Sequence, residues 1–307
     1  MAKISIIGAG MTGATAAHWL AERELADLVL VDVVEGMPQG KALDLLEAMP
    51  IINKDCHVVG SNDYAATQGS DIVVITAGIP RKPGMSRDDL VNTNTDIVKK
   101  ATEATLKHSP NAIYIILTNP LDSMCYVAMK AGGLPRQRVI GQAGILDSAR
   151  MRAFVAMELG VSVENVACYV LGGHGDSMVP LTRHSNVAGV PLDKMLPADK
   201  LAAIVDRTRK GGGEIVALLK QGSAFYAPAA AIAQMAEAML KDKNLIVPCS
   251  IYMQGEYGLK DIFFGVPAQL GAGGLVKVIE YELSAEEKAT LEKSAAEVKE
   301  STAALKI

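Results

Sequence analysis

The sequence predicts a doubly wound parallel α/β sheet followed by an α+β domain, on three observations. Short apolar strands alternate with helical patterns through the first half, a glycine-rich loop joins the first strand to the first helix, and the pattern changes after about Gly141. Strand candidates fall at residues 4–7, 28–31, 56–59, 72–76, 113–117 and 139–140, some of them unbroken runs of β-branched residues. Such runs are expected where both faces of a sheet are covered. Helical patterns lie between them at 13–23, 40–48, 90–108 and 121–132. This alternation places helices on both faces of parallel strands.

The first strand runs directly into Gly8, Gly10 and Gly13, with Ala9, Met11 and Thr12 between them. In a strand–loop–helix unit the first glycine allows a tight turn. The second lets the backbone approach a pyrophosphate, and the third lets helix and strand pack closely. The helix N-terminus then presents free N–H groups and its positive dipole end to the anion. The second strand ends in Asp32, nineteen residues past Gly13, close to the spacing of about 20 at which an acid accepts hydrogen bonds from an adenosine ribose. Together these features predict dinucleotide binding on a Rossmann sheet. Ligands gather at the carboxyl ends of such strands, and here those ends carry residues 8–13, Asp32, Thr76-Ala77-Gly78 and Thr118-Asn119-Pro120.

In the second half, residues 146–159 read as a helix, and 166–171, 179–181 and a turn near 189–191 suggest an antiparallel meander. Long helices follow at 198–220 and 228–240, the second rich in alanine, then strands at 245–253 and 262–270. Ser284 and Glu287 have capping-box spacing at the start of a last helix, on which Leu291, Val298 and Leu305 recur every seven residues. Gly211-Gly212-Gly213 interrupts an otherwise helical pattern, where each glycine costs about 1 kcal/mol relative to alanine. It marks a kink or a close contact. The expected division is a Rossmann cofactor-binding domain over 1–142 and an α+β catalytic, substrate-binding domain over 143–307.

A chain of 307 residues, half of them hydrophobic, is long enough for two such units. Its 30 basic and 34 acidic side chains nearly cancel, and no basic run suggests a nucleic-acid partner. Cys56, Cys125, Cys168 and Cys249 are isolated and make no metal-ligand spacing; they read as small buried hydrophobes in a reducing compartment. No uncharged run reaches the roughly 18 residues of a membrane span, and the first strand begins too early to leave room for a signal peptide. The expectation is a soluble cytoplasmic protein with neither a metal nor a membrane.

Of the five histidines, only His174, in Leu-Gly-Gly-His-Gly-Asp after a predicted strand, is flanked by glycine on both sides. An imidazole with a pKa of about 6.5 suits proton exchange with an alcohol at neutral pH. His18, His57, His108 and His184 read as packing or surface residues. A histidine base needs a group to fix its tautomer, usually a carboxylate. Asp147 is the candidate, with Arg150 on the same helical face three residues later; the spacing equally fits an N-cap with a surface ion pair. Residues 78–87 carry Arg81, Lys82 and Arg87 among prolines and a glycine. That loop is either simply solvated or, through bidentate arginines acting with Arg150, a clamp for a dianion.

Across essentially the whole chain the motifs GAGMTG, LVDVVEGMPQGKALDL, TAGIPRKPGMSRDDL, TNPLD, VIGQAGILDSAR, GGHGD and DIFFGVP resemble those of NAD-dependent 2-hydroxy-acid dehydrogenases. More narrowly, they are similar to the lactate-dehydrogenase-like bacterial malate dehydrogenases of the lactate/malate dehydrogenase superfamily. The resemblance implies that His174 exchanges the proton with Asp147 as its partner, that Arg150 anchors the carboxylate beside the reacting carbon, and that Arg87 polarises the substrate oxygen. It implies that Asn119 contacts both substrate and cofactor, and that the loop after Gly78 closes as a lid. It also implies NAD contacts by Gly8, Gly10, Met11, Thr12, Gly13, Asp32, Thr76, Ala77, Gly78, Asn94 and Asn119. Arg81 stands at the position that separates malate from lactate enzymes, arginine suiting the second carboxylate of oxaloacetate and glutamine suiting pyruvate. Met11-Thr12 departs from the more usual aromatic or aliphatic residue followed by valine, which leaves phosphate binding by backbone N–H groups intact. The expected activity is NAD-dependent interconversion of malate and oxaloacetate in a homodimer or homotetramer. A lactate dehydrogenase, a non-catalytic NAD-binding sensor and a metal-dependent hydrolase are the alternatives, the last without a convincing ligand set.

Overall fold

The computed structural model describes residues 1–80 and 87–307, the side chains of Arg87 and Asp88 excepted. Among the described residues, six short strands and five helices alternate through the first half. The strands are β1 Lys3–Ile7, β2 Asp27–Val31, β3 Val58–Ser61, β4 Ile72–Ile75, β5 Ile113–Ile116 and β6 Val139–Gly141. The helices are α1 Met11–Glu22, α2 Met37–Ala48, α3 Arg87–His108, α4 Leu121–Gly132 and α5 Gly144–Leu159. The apolar runs pair in parallel in the order β3-β2-β1-β4-β5-β6. Their β-branched side chains are buried on both faces by helices. The order reverses between β1 and β4, the switch point at which a cleft opens at the strand carboxyl ends.

The second half contains β7 Val166–Ala167, β8 Val170–Leu171, β9 Val179–Pro180, β10 Asn186–Val187, β11 Val190–Pro191, a short α6 Leu192–Met195, α7 Ala198–Leu219 and α8 Tyr226–Leu240. It closes with β12 Leu245–Gln254, β13 Lys260–Gly271, β14 Gly274–Val278 and α9 Ala285–Ala303. The meander expected over 166–191 is divided. β8 pairs with β9, whereas β7, β10 and β11 form a separate three-stranded sheet. The break falls at Tyr169, whose N–H donates to the Ser185 hydroxyl rather than to a neighbouring strand. Ala188 and Gly189, both at positive φ, make the two-residue turn between β10 and β11.

The long strands β12 and β13 do not build a sheet of their own. β12 joins β6 antiparallel through Ser250 and Gly141, so that β12, β13 and β14 extend the parallel sheet to nine strands. β14, which is not among the expected strands, pairs antiparallel with β13. Ala229, Ala231, Ala233, Ala236 and Ala238 of α8 are buried, and the helix packs on α1 and β13, so much of its small-residue surface is used within the chain. Ser284 and Glu287 form the expected capping box on α9, and Leu291 and Val298 are buried beneath it. All four cysteines are buried and unpaired.

Candidate active site

The glycine loop fits the group its sequence implies. Gly8 is at φ +103°, and a Cβ there would stand 2.6 Å from the Ala77 nitrogen, while one at Gly13 would collide with the Gly8 carbonyl oxygen. Among the described residues, a Cβ at Gly10 would meet nothing within 4 Å, which leaves this side of the loop room for a ligand. The N-terminus of α1 has no side-chain cap and no acid in its first turn. Its leading N–H groups are therefore available to an anion. Asp32 Oδ2 accepts from Ala9 N–H at 2.7 Å and Oδ1 from Val34 N–H at 3.0 Å, which fixes the carboxylate while each oxygen keeps accepting capacity. Lys41, to which the sequence reading gave no role, donates to the Ala9 carbonyl at 2.7 Å and ties α2 to the same loop.

Behind this loop, Thr76 Oγ1 donates to the Gly8 carbonyl at 2.9 Å, and Thr118 Oγ1 to the Ala77 carbonyl at 2.7 Å. Asn94 is 1% exposed. Its amide nitrogen donates to the carbonyls of Asn119 and Ile79, and its oxygen accepts from Ile79 N–H. The side chain thus holds the loop after β4 against the loop after β5. Gly78 lies in the same contact, since a Cβ there would meet Thr118 and Asn94. Asn119 is exposed at the strand end, while Met11 and Thr12 open the first turn of α1.

In the second half three side chains form one hydrogen-bonded chain. Asp147, 2% exposed in the first turn of α5, accepts from His174 Nδ1 at 2.9 Å through Oδ2 and from Arg150 Nη1 at 2.9 Å through Oδ1. The alternative of Asp147 as a surface N-cap is excluded by its burial and by Ala143 occupying the cap. With Nδ1–H directed at a carboxylate, Nε2 is the ring nitrogen left able to take up or release a proton. Burial pulls the imidazole pKa down, but the charge of Asp147 and its hydrogen bond outweigh this and leave His174 above the usual histidine value. A cavity of about 230 Å³ opens beside it, lined among others by Asp122, Ser123, Asp176 and Ser177.

Gly211-Gly212-Gly213 does not interrupt α7, which is continuous through it. A Cβ at Gly211 would stand 3.1 Å from Arg150 Cδ, and one at Gly212 would stand 3.6 Å from Arg150 Nη2. Of the two expected explanations, the close contact holds. The absence of side chains on this turn makes room for the guanidinium stem. Arg81 lies outside the described residues, as does the Arg87 side chain. His18 and His57 are exposed, His108 is partly exposed, and His184 stacks on Tyr281, as their packing and surface readings require.

Sequence reasoning missed the residues that hold the His174 loop: Asp122, Ser294 and Gly265. Asp122 and Gly265 lay within quoted motifs, TNPLD and DIFFGVP, but only the folded chain brings them to residues 172–174. A Cβ at Gly265 would collide with the Gly172 carbonyl, and one at Gly173 would stand 2.5 Å from Val298 Cγ2.

A dinucleotide cradle at a sheet switch point, joined to a buried imidazole–carboxylate–guanidinium chain, defines an oxidoreductase architecture. Residues 2–141 match the lactate/malate dehydrogenase NAD-binding domain, and residues 145–306 match the lactate/malate dehydrogenase alpha/beta C-terminal domain. The chain belongs to the lactate/malate dehydrogenase family. It is 60% identical to the malate dehydrogenase of Desulforudis audaxviator (strain MP104C), over 97% of this chain and 96% of that one. Among solved structures it is similar to the malate dehydrogenase of Cryptosporidium parvum, with a TM-score of 0.96 and 43% identity over 98% of each chain. It is also similar to the lactate dehydrogenase of Cryptosporidium parvum complexed with lactic acid and NAD, with a TM-score of 0.95 and 42% identity over 98% of this chain and 97% of that one. Near-equal likeness to both enzymes means that the fold alone does not select the substrate.

Proposed function

We propose the following chemistry for this chain, which functions as an NAD-dependent malate dehydrogenase. In malate oxidation, Arg150 and Arg81 hold the two carboxylates and His174 Nε2 accepts the hydroxyl proton. Asp147 stabilises the imidazolium that results. Bound NAD supplies the hydride acceptor, carbon 4 of its nicotinamide. In the reverse direction Arg87 polarises the carbonyl oxygen of oxaloacetate, and His174 returns the proton to it. Asn119 orients the substrate beside the cofactor. The loop after Gly78, which the resemblance implies closes as a lid, includes residues 81–86, which lie outside the described residues. The observation that carries this reading is the chain from His174 through Asp147 to Arg150, which joins the proton carrier to the carboxylate anchor through a single buried acid.

The cofactor is NAD rather than NADP, because the fixed carboxylate of Asp32 repels a 2′-phosphate. Gly8, Gly10, Met11, Thr12 and Gly13 hold the pyrophosphate. Thr76, Ala77, Gly78, Asn94 and Asn119 shape the path toward the nicotinamide. Residues 1–142 act as the cofactor-binding domain and residues 143–307 as the substrate domain. No helix among the described residues is long and apolar enough to cross a membrane, and we place the protein in the cytoplasm. Exposed Leu43, Leu46, Ile51 and Ile52, on and just after α2, support association into a homodimer or homotetramer. Oxidation of NADH with oxaloacetate and with pyruvate tests the function. Strong preference for oxaloacetate is expected, and preference for pyruvate would make the chain a lactate dehydrogenase.

A further inference from the structure

Three successive N–H groups in the His174 loop are held by three different elements. Gly172 N–H donates to the Gly265 carbonyl of β13 at 2.9 Å, and Gly173 N–H to Ser294 Oγ of α9 at 3.0 Å. His174 N–H donates to Asp122 Oδ2 of α4 at 2.9 Å. The first two acceptors are neutral, and the third is a carboxylate. Asp122 is 7% exposed, and its second oxygen accepts from the Ser250 hydroxyl of β12. A buried carboxylate is costly to desolvate, and both groups that donate to it, an N–H and a hydroxyl, are neutral. The charge itself therefore requires an explanation, and the group nearest to hand is the histidine that gains a positive charge.

We propose that Asp122 is a positioning residue that fixes the His174 main chain from the cofactor-binding half and provides a second negative charge for the imidazolium. The inference deepens the proposed function and rests on His174 being its proton carrier. Asp122 stands three residues after Asn119, so the end of β5 and the catalytic loop are fixed by one segment of chain. The charges that face His174 come from several elements. Asp147 and Arg150 lie on α5 and Asp122 on α4, while Asp176 of the loop and Glu297 of α9 line the adjoining cavity. Asp147 and Asp122 favour the imidazolium and Arg150 opposes it. Burial raises the Asp122 carboxyl above its usual range, against the opposing hydrogen bonds from Ser250 and from the His174 N–H.

The test is an NMR titration of His174 in the cofactor-free protein, read beside the pH dependence of oxaloacetate reduction. Asp122→Asn keeps the shape and an accepting oxygen but removes the charge. Its His174 midpoint should fall by about half a unit or more, and the high-pH limb of kcat should fall with it while KM for NADH stays unchanged. Asp122→Ala removes both acceptors and should lower kcat on the order of tenfold or more, even at low pH. If that variant fails to fold, the nearly isosteric Asp122→Asn still decides the matter. A His174 midpoint that does not move in Asp122→Asn overturns the proposal. A midpoint that moves while His174→Asn retains full turnover would instead remove His174 from the proposed mechanism and leave the electrostatic link between the two residues standing.

Discussion

His174 Nδ1 and Asp147 Oδ2 stand 2.9 Å apart, although 27 residues separate them in the chain. The carboxylate is almost completely buried and is shared with Arg150, so a single acid fixes both the orientation of the imidazole and the position of the guanidinium.

Replacing Asp147 by Asn should therefore move the pH profile. In the proposed mechanism oxaloacetate reduction requires the imidazolium, which persists up to the raised pKa of His174. Loss of the Asp147 charge lowers that pKa, so the falling limb of reduction shifts to lower pH. Malate oxidation requires the neutral ring, and its rising limb shifts the same way. A shift of about one unit or more is expected, read from kcat against pH in both directions, and an unmoved profile would reduce Asp147 to a structural role.

Arg81→Gln should transfer preference from oxaloacetate toward pyruvate. Loss of a bidentate partner for the second carboxylate should cost on the order of a hundredfold in kcat/KM for oxaloacetate. Equal selectivity in mutant and parent would contradict the assignment of Arg81.

Asp32→Ser should admit NADP, because it removes the charge that repels a 2′-phosphate and leaves a hydroxyl in its place. Lys41, anchored on the neighbouring Ala9 carbonyl, remains as a cation in the region. The ratio of kcat/KM for NADPH to that for NADH should rise about tenfold or more. A parent enzyme that already uses both cofactors equally would refute the role given to Asp32.

Gly211→Val places a branched side chain against the Arg150 stem, where even a Cβ stands 3.1 Å from Cδ. KM for oxaloacetate should rise about tenfold or more, with affinity for NADH unchanged. An unaltered KM would mean that the glycines of α7 do not set the position of the guanidinium.

The legible parts of the fold were those written in local pattern. The β-branched runs from residue 72 to 75 and from 113 to 116, the spacing from Gly13 to Asp32, and the Ser284–Glu287 capping box each act within a few turns of chain. His174 was legible because glycines flank it on both sides. Pairings at long range were not. Nothing near Ser250 announces that β12 will lie against β6, and nothing near Asp122 announces a bond to the His174 main chain, 52 residues away. Periodicity marks which face of a strand is buried but not which strand lies beside it. The Gly211-Gly212-Gly213 run was visible as an anomaly, and only the position of Arg150 gave it a reason.

Every step of the proposed mechanism depends on His174 carrying the proton. This role is tested most directly by turnover of His174→Asn, with NADH affinity measured separately by fluorescence. Turnover should fall roughly 10²- to 10⁴-fold while NADH binds as in the parent. Turnover equal to that of the parent, with the cofactor bound normally, would contradict the mechanism.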